Sequence, residues 1–347
     1  MRTYARCLTF KQLEVMQKMV GKIWRAVVLS NKVGIIICYF GKLPPTVDLW
    51  LASCTRNPGF DFLIFTDQKI EICAANIHVY QYTLKDVAFL IMNKLHLDNI
   101  GLVAPYKLCD FKPMYGEIFE DYLLGYDFWG MCDMDMIFGD LSRFITTDIL
   151  EKHDKIYQLG HLTLYRNNKE VNGRFRLDGY ANWQEVAQTE RHCKLCERGM
   201  MEKYRRAGLP VYDVRDYADI SKIHRRYQLS HWLVPSIFKD RYQYQLFYCD
   251  FGRIFRAVYE SGNVFVQEFN YIHLQKRKIH INPEGLGECY YITKNSFFPK
   301  KPGIPDVKDI VALNPYPGLV FELLECAEYE IKKRSGWLRK HWENRNK

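Results

Sequence analysis

Apolar and polar residues alternate between two regimes along this chain. Lys32-Val33-Gly34-Ile35-Ile36-Ile37-Cys38-Tyr39-Phe40-Gly41 is a nearly continuous apolar run ending on a glycine, which predicts a strand buried on both faces and a turn after it. Pro44 and Pro45 then open a helix through Leu49 to Ser53. Asp61 to Asp67 and Asn76 to Tyr80 read as two further strands, and residues 84 to 99 and 113 to 124 as helices. Phe128-Trp129-Gly130-Met131-Cys132 is another short apolar run with the look of a central strand. Strand, helix, strand in this order predicts an α/β fold, a mixed sheet flanked by helices in the manner of a Rossmann fold.

Beyond Leu141 the periodicity loosens. Ile156 to Leu159 and Leu162 to Tyr165 read as strands, and residues 183 to 207 as a charged helical region. Gln245 to Tyr248 and Arg253 to Tyr259 form a predicted hairpin around Asp250-Phe251-Gly252-Arg253. Ahead of the first strand, Phe10, Leu13, Met16 or Gln17, Val20 and Trp24 recur at helical spacing among lysines, which predicts an amphipathic helix. The expected organisation is a basic extension (1–32), one large domain (33–325) with a regular first half (33–141) and a looser second half (142–325), and a basic tail (326–347).

Charge follows the same division. Of the net +9, residues 1–32 hold seven Lys or Arg against one acid and residues 326–347 seven against three, which leaves the body at about −1. A neutral body lacks the basic face that nucleic acid demands, and basic ends point instead toward an anionic surface. Lys332 to Trp342 mixes lysine and arginine with two tryptophans, the composition of an interfacial helix on anionic lipid. No run reaches the eighteen or so apolar residues that span a bilayer, and residues 1–32 show no secretory h-region, so a cytoplasmic protein, peripheral on the inner face of the cytoplasmic membrane, is expected. The odd cysteine count, eleven, fits reduced thiols. His192-Cys193-x-x-Cys196 has no second Cys-x-x-Cys to complete a zinc corner.

The candidate chemistry sits directly after the central apolar run. Asp133 and Asp135 stand one residue apart, and in an extended chain both carboxylates project to one face while Cys132, Met134 and Met136 turn inward. Neighbouring carboxylates repel unless a cation joins them, and magnesium or manganese does so while keeping positions for phosphate oxygens. A nucleotide-sugar site is the reading that follows. The same pair in another chain is often a solvated strand end, but here it ends a predicted buried strand, where open α/β sheets place function.

Three blocks, Pro105 to Gly116, Gly125 to Asp140 and Tyr271-Ile272-His273-Leu274-Gln275-Lys276-Arg277-Lys278, resemble bacterial GT-A-type glycosyltransferases of capsule and lipopolysaccharide assembly, over about Val33 to Ile279. The resemblance implies a GT-A-like fold and a metal-dependent transfer of sugar from a nucleotide donor, UDP-sugar above all, to a surface polysaccharide or lipopolysaccharide acceptor. It implies Asp135 as a direct ligand of Mn2+ or Mg2+, Asp133 as a ribose or metal contact and His273 as a third ligand. Lys107, Asp110 and Lys112 are then expected to help hold nucleotide and donor sugar, although helix capping and solvated charge explain the same residues. Lys276, Arg277 and Lys278 could clamp phosphate oxygens. For an inverting transfer a carboxylate takes the acceptor proton, with Asp178, Asp213 and Asp216 as candidates; relatives carry an Asp-Glu pair where this chain has Asp213-Val214. The alternative is a non-catalytic GT-A-like protein that binds glycan or a partner.

Overall fold

A computed structural model describes residues 29–221, 227–229, 242–275, 279 and 286–313, together with positions 320, 324, 327 and 331. The expected amphipathic helix at 10–24 and the Trp-containing tail therefore lie outside the described residues, as do Lys276, Arg277 and Lys278.

Fourteen strands follow one another among the described residues: β1 (Val33–Tyr39), β2 (Phe60–Thr66), β3 (Ile77–Gln81), β4 (Phe128–Cys132), β5 (Met136–Phe138), β6 (Lys155–Ile156), β7 (Leu162–Arg166), β8 (Ala218–Asp219), β9 (Tyr244–Asp250), β10 (Arg253–Glu260), β11 (Asn263–Phe269), β12 (Tyr271–His273), β13 (Cys289–Ile292) and β14 (Phe297–Pro299). The main helices are α1 (Val47–Thr55), α2 (Leu84–Leu95), α3 (Trp183–Gln188), α4 (Met200–Arg206) and α5 (Val307–Leu313). None of the described helices is long and apolar enough to cross a membrane. The chain divides into two compact units, one formed by 1–134 with 140–215 and the other by 135–139 with 216–347.

The first unit is a mixed α/β layer. Its six-stranded sheet runs β3-β2-β1-β4-β7-β6, with β3, β2, β1 and β4 parallel and β7 antiparallel to both β4 and β6. β1 and β4 pair in register Val33↔Phe128 to Ile36↔Met131, and their carboxyl ends mark the point where strand order reverses. Clefts for ligands form at such switch points. Leu63, Phe65, Trp129 and Met131 from the sheet bury against Val87, Ile91 and Leu95 of α2 and against Phe111, Met114, Tyr115 and Phe119. A reciprocal cap starts α2: Thr83 Oγ1 accepts from the Asp86 amide at 3.2 Å, and Asp86 Oδ2 from the Thr83 amide at 2.8 Å.

Residues 113–124 depart from the single predicted helix. They form a 3-10 turn (Lys112–Met114), one α turn (Tyr115–Ile118) and a second 3-10 turn (Glu120–Leu123). Met114, Tyr115, Gly116, Ile118 and Phe119 are all buried, so no one face carries the burial and the backbone bends to seat side chains on several sides. Gly116 lies against the Trp129 indole, where a Cβ would stand 2.5 Å from Nε1.

The second unit is mostly antiparallel. Its five strands run β11-β10-β9-β13-β14, and the β9–β10 hairpin closes through Phe251 (φ 48°) and Gly252 (φ 77°). Positive φ at both central positions matches the right-handed strand twist. A separate three-stranded ribbon, β5-β12-β8, pairs β12 antiparallel to β5 and parallel to β8. Gly139, just after β5, sits where a Cβ would be 2.8 Å from the Phe269 carbonyl oxygen and 3.0 Å from that of Asn270. Only a bare backbone lets the segment close on its neighbour there.

Candidate functional site

In the first unit, the chemistry gathers where β4 ends. All five residues of β4 are buried, and the Asp133 amide that follows donates to the His161 carbonyl at 3.0 Å. Lys112 extends its Nζ to Asp133 Oδ1 at 2.5 Å and to the Gly160 carbonyl at 2.9 Å. Burial penalises that ammonium, but the Asp133 carboxylate beside it more than offsets the penalty and holds its pKa above the ordinary lysine value. Asp133 is therefore met by a fixed positive charge, a pairing invisible from the spacing of the two residues.

Lys107 and Asp110 pair with each other. Both are buried, 3.0 Å apart, and Lys107 Nζ also donates to the Val186 and Arg191 carbonyls at 2.7 and 2.8 Å. Asp110 accepts from the Cys193 and Leu195 amides at 2.7 and 3.0 Å. Buried charges persist when each lone pair and proton finds a partner, and here the partners staple residues 186–195 to the turn at 105–110. Of the carboxylates considered for proton transfer, Asp178 is exposed, whereas Asp213 is half-buried with Oδ2 accepting from Gln158 Nε2 at 2.9 Å. The Asp216 carbonyl accepts from the Asn270 amide at 2.7 Å in the second unit.

That unit assembles a tighter cluster. The register Tyr271↔Phe138 to His273↔Met136, extended by Leu274 N to Asp135 O at 2.8 Å, lays the start of β5 against the end of β12. Asp135 and His273 thereby meet, with Nε2 3.3 Å from Oδ1. On the other side, β8 pairs His273 with Asp219, and His273 Nδ1 lies 2.9 Å from Asp219 Oδ1. Gln275 Nε2 donates to the same Asp219 oxygen. The imidazole is buried between two carboxylates; burial works against its charged form, yet Asp135 and Asp219 raise its pKa to about 10. Such a cluster must hold a positive charge, whether a ring proton or a metal ion.

Asp135 and His273, expected together from the sequence, are thus brought together, and Asp219 joins them unforeseen. Its neighbourhood, Tyr217-Ala218-Asp219-Ile220, shows no alternation of polar and apolar residues that would have pointed to it. Among the described residues no cysteine belongs to a group able to hold a metal. The nine described cysteines are free thiols.

A family model described as a family of unknown function (DUF6625) matches residues 35–301. No curated protein matches the chain. Among solved structures, a crystal structure of the galactosyltransferase LgtC in complex with donor and acceptor sugar analogs is similar at 12% identity, covering 55% of this chain and 76% of that one with a TM-score of 0.35. An overlap that loose carries no argument about chemistry.

Proposed function

The chain belongs to the DUF6625 family of unknown function, and we propose that it is a metal-dependent glycosyltransferase that moves a sugar from a nucleotide donor, a UDP-sugar, to a surface glycan. The observation that supports this reading most is the approach of His273 Nε2 to Asp135 at 3.3 Å, two residues past Asp133 at the end of β4. Carboxylate oxygens with one imidazole nitrogen suit manganese or magnesium. Asp219 strengthens the fit: by engaging Nδ1 it leaves Nε2 as the ring atom turned to Asp135, the way a second carboxylate orients a metal-binding histidine.

On this reading Asp135 and His273 hold the ion, and Asp133 keeps the role of ribose or metal contact that its place in the sequence implies. When bound, the ion neutralises the departing diphosphate. Lys112 keeps Asp133 in place and adds a fixed positive charge beside it. Lys107 and Asp110 serve donor binding indirectly, by holding their loop. Lys276, Arg277 and Lys278 follow His273 closely enough in sequence to meet phosphate oxygens. Transfer breaks the bond from the anomeric carbon to the diphosphate oxygen and forms one to the acceptor oxygen. In an inverting reaction the acceptor proton passes to a carboxylate, a role we assign to exposed Asp178.

Calorimetric titration of UDP into the full chain, with and without manganese, tests the proposal. Metal-dependent binding that Asp135→Ala abolishes is expected. Binding that is equal without metal, or unchanged in the variant, removes the reading. A folded chain with no metal-dependent affinity for UDP would favour a non-catalytic glycan- or partner-binding protein.

A further inference from the structure

Several buried polar atoms outside these residues lack protein partners, and they meet in the first unit. Lys155 is wholly buried, and its Nζ has no hydrogen-bond partner. It rests on aromatic faces, 4.4 Å from the Tyr204 ring centroid and 5.5 Å from that of Tyr165. The Tyr165 hydroxyl and Asp213 Oδ1 are also buried and unpartnered.

The local backbone explains the meeting. Ile156 bridges Tyr212 in parallel register, with the Tyr212 amide donating to the Lys155 carbonyl at 3.0 Å and the Tyr157 amide to the Tyr212 carbonyl at 2.7 Å. Alternation then sends Ile156 and Tyr212 to one side of the ladder and their neighbours Lys155 and Asp213 to the other. Asp213 is the opposite charge that acts most strongly on the Lys155 amine, yet the two make no direct hydrogen bond.

Ring faces attract an ammonium but do not replace its directed hydrogen bonds. A donor with up to three protons, an acceptor oxygen and a hydroxyl that does both are buried without a protein partner, and the register Lys155↔Tyr165 puts the amine and the tyrosine on the same side of the sheet. Proteins resolve such sets with internal water, which makes about three hydrogen bonds where it is held. We propose that the space shared by Lys155 Nζ, Asp213 Oδ1 and the Tyr165 hydroxyl is a binding site for ordered internal water, through which Lys155 and Asp213 form a bridged charge pair that fastens the Tyr212–Asp213 segment to β6. The inference stands apart from the enzymatic reading, and it gives Asp213 an inward task.

The other groups that face the amine are Cys196, itself buried, and Tyr204; Arg174 lies over the same Tyr204 ring at 5.8 Å and is ion-paired to Asp154 and Glu170. Burial pulls the Lys155 pKa down to about 7, and Asp213 opposes that pull. At Lys155 the unfolded chain therefore binds more protons than the folded one between about pH 7 and the ordinary value of 10.5, so this residue contributes stability that rises with pH across that interval, opposite in sign to the contribution of His273.

A crystal structure that orders solvent tests the site on the unaltered chain: water within hydrogen-bond distance of both Lys155 Nζ and Asp213 Oδ1 is expected, and a dry amine overturns the proposal. Thermal unfolding between those pH values gives an independent reading. The stability of wild type relative to Lys155→Met should rise with pH, and Asp213→Asn should cost less in the Lys155→Met background than alone. An unchanged slope with additive costs would show that the two groups do not communicate, and would equally sink the idea. The solvent density decides the matter even if a variant does not fold.

Discussion

His273 Nδ1 lies 2.9 Å from Asp219 Oδ1, and strand pairing places the two residues directly opposite each other on β12 and β8. The ring is thus fixed from behind by a residue that never has to touch a ligand. Asp219→Asn keeps the shape but weakens the acceptor, so manganese affinity is expected to fall ~10–100-fold with the fold intact. Isothermal titration with far-UV circular dichroism checks both halves. Full affinity in the variant would mean that His273 needs no such anchor.

Lys112 offers a second test, because it meets the Asp133 carboxylate before any metal does. Lys112→Met leaves Gly160 without its donor and Asp133 without its counter-charge, a loss of about 1–3 kcal/mol. Added manganese should restore part of this, since a divalent cation can replace the ammonium beside Asp133. A variant whose melting temperature gains no more from manganese than wild type would show that Asp133 does not face the ion.

For the buried Lys107–Asp110 pair, the expected effect lies in stability. Asp110→Ala strands a buried ammonium and two amides, at a cost of about 3–5 kcal/mol by urea denaturation. Replacing both partners, Lys107→Met with Asp110→Leu, should recover much of that. A small loss in the single variant would mean that solvent reaches the pair.

Acid sensitivity should trace in part to Asp154. It accepts from Arg166 Nε and Arg174 Nη2, each at 2.8 Å; burial raises its pKa, but these two guanidiniums outweigh burial and hold it below the ordinary 3.8. A depressed folded pKa gives stability that is present above the unfolded value and lost as pH falls through the folded one. Melting temperatures taken downward from pH 5 should therefore drop less steeply in Asp154→Asn than in wild type. Parallel curves would exclude Asp154 from the acid transition.

Much of the frame was legible because its signals are local. β1, β4 and the Phe62–Phe65 stretch of β2 are apolar runs that declare buried strands without reference to anything else, and the Phe251-Gly252 turn announces its hairpin by composition. Helix α2 begins at its Thr83 cap. The acidic residues after β4 were equally plain. Partnerships were not, because the chain's local pattern does not say which strand lies beside which. Asp219 reaches His273 only through the parallel pairing of β8 with β12, and Lys112 reaches Asp133 only after the turns at 105–123 have bent. Residues 113–124 misled for the converse reason: helical spacing presumes one buried side, and that segment is enclosed on several.

One consequence concerns how the chain is made. Residues 135–139 belong with 216–347 although 140–215 intervene, so β5 leaves the ribosome long before β12, the strand it must pair with. Until His273 is synthesised, Asp135 has neither its imidazole nor its ladder, and the first unit must carry a dangling three-residue edge. A nascent chain halted once residue 215 is free of the ribosome but before Tyr271 is made should mature its β1–β4 sheet while the β5–β12 pairing stays unformed, which ties completion of the second unit to the last third of translation.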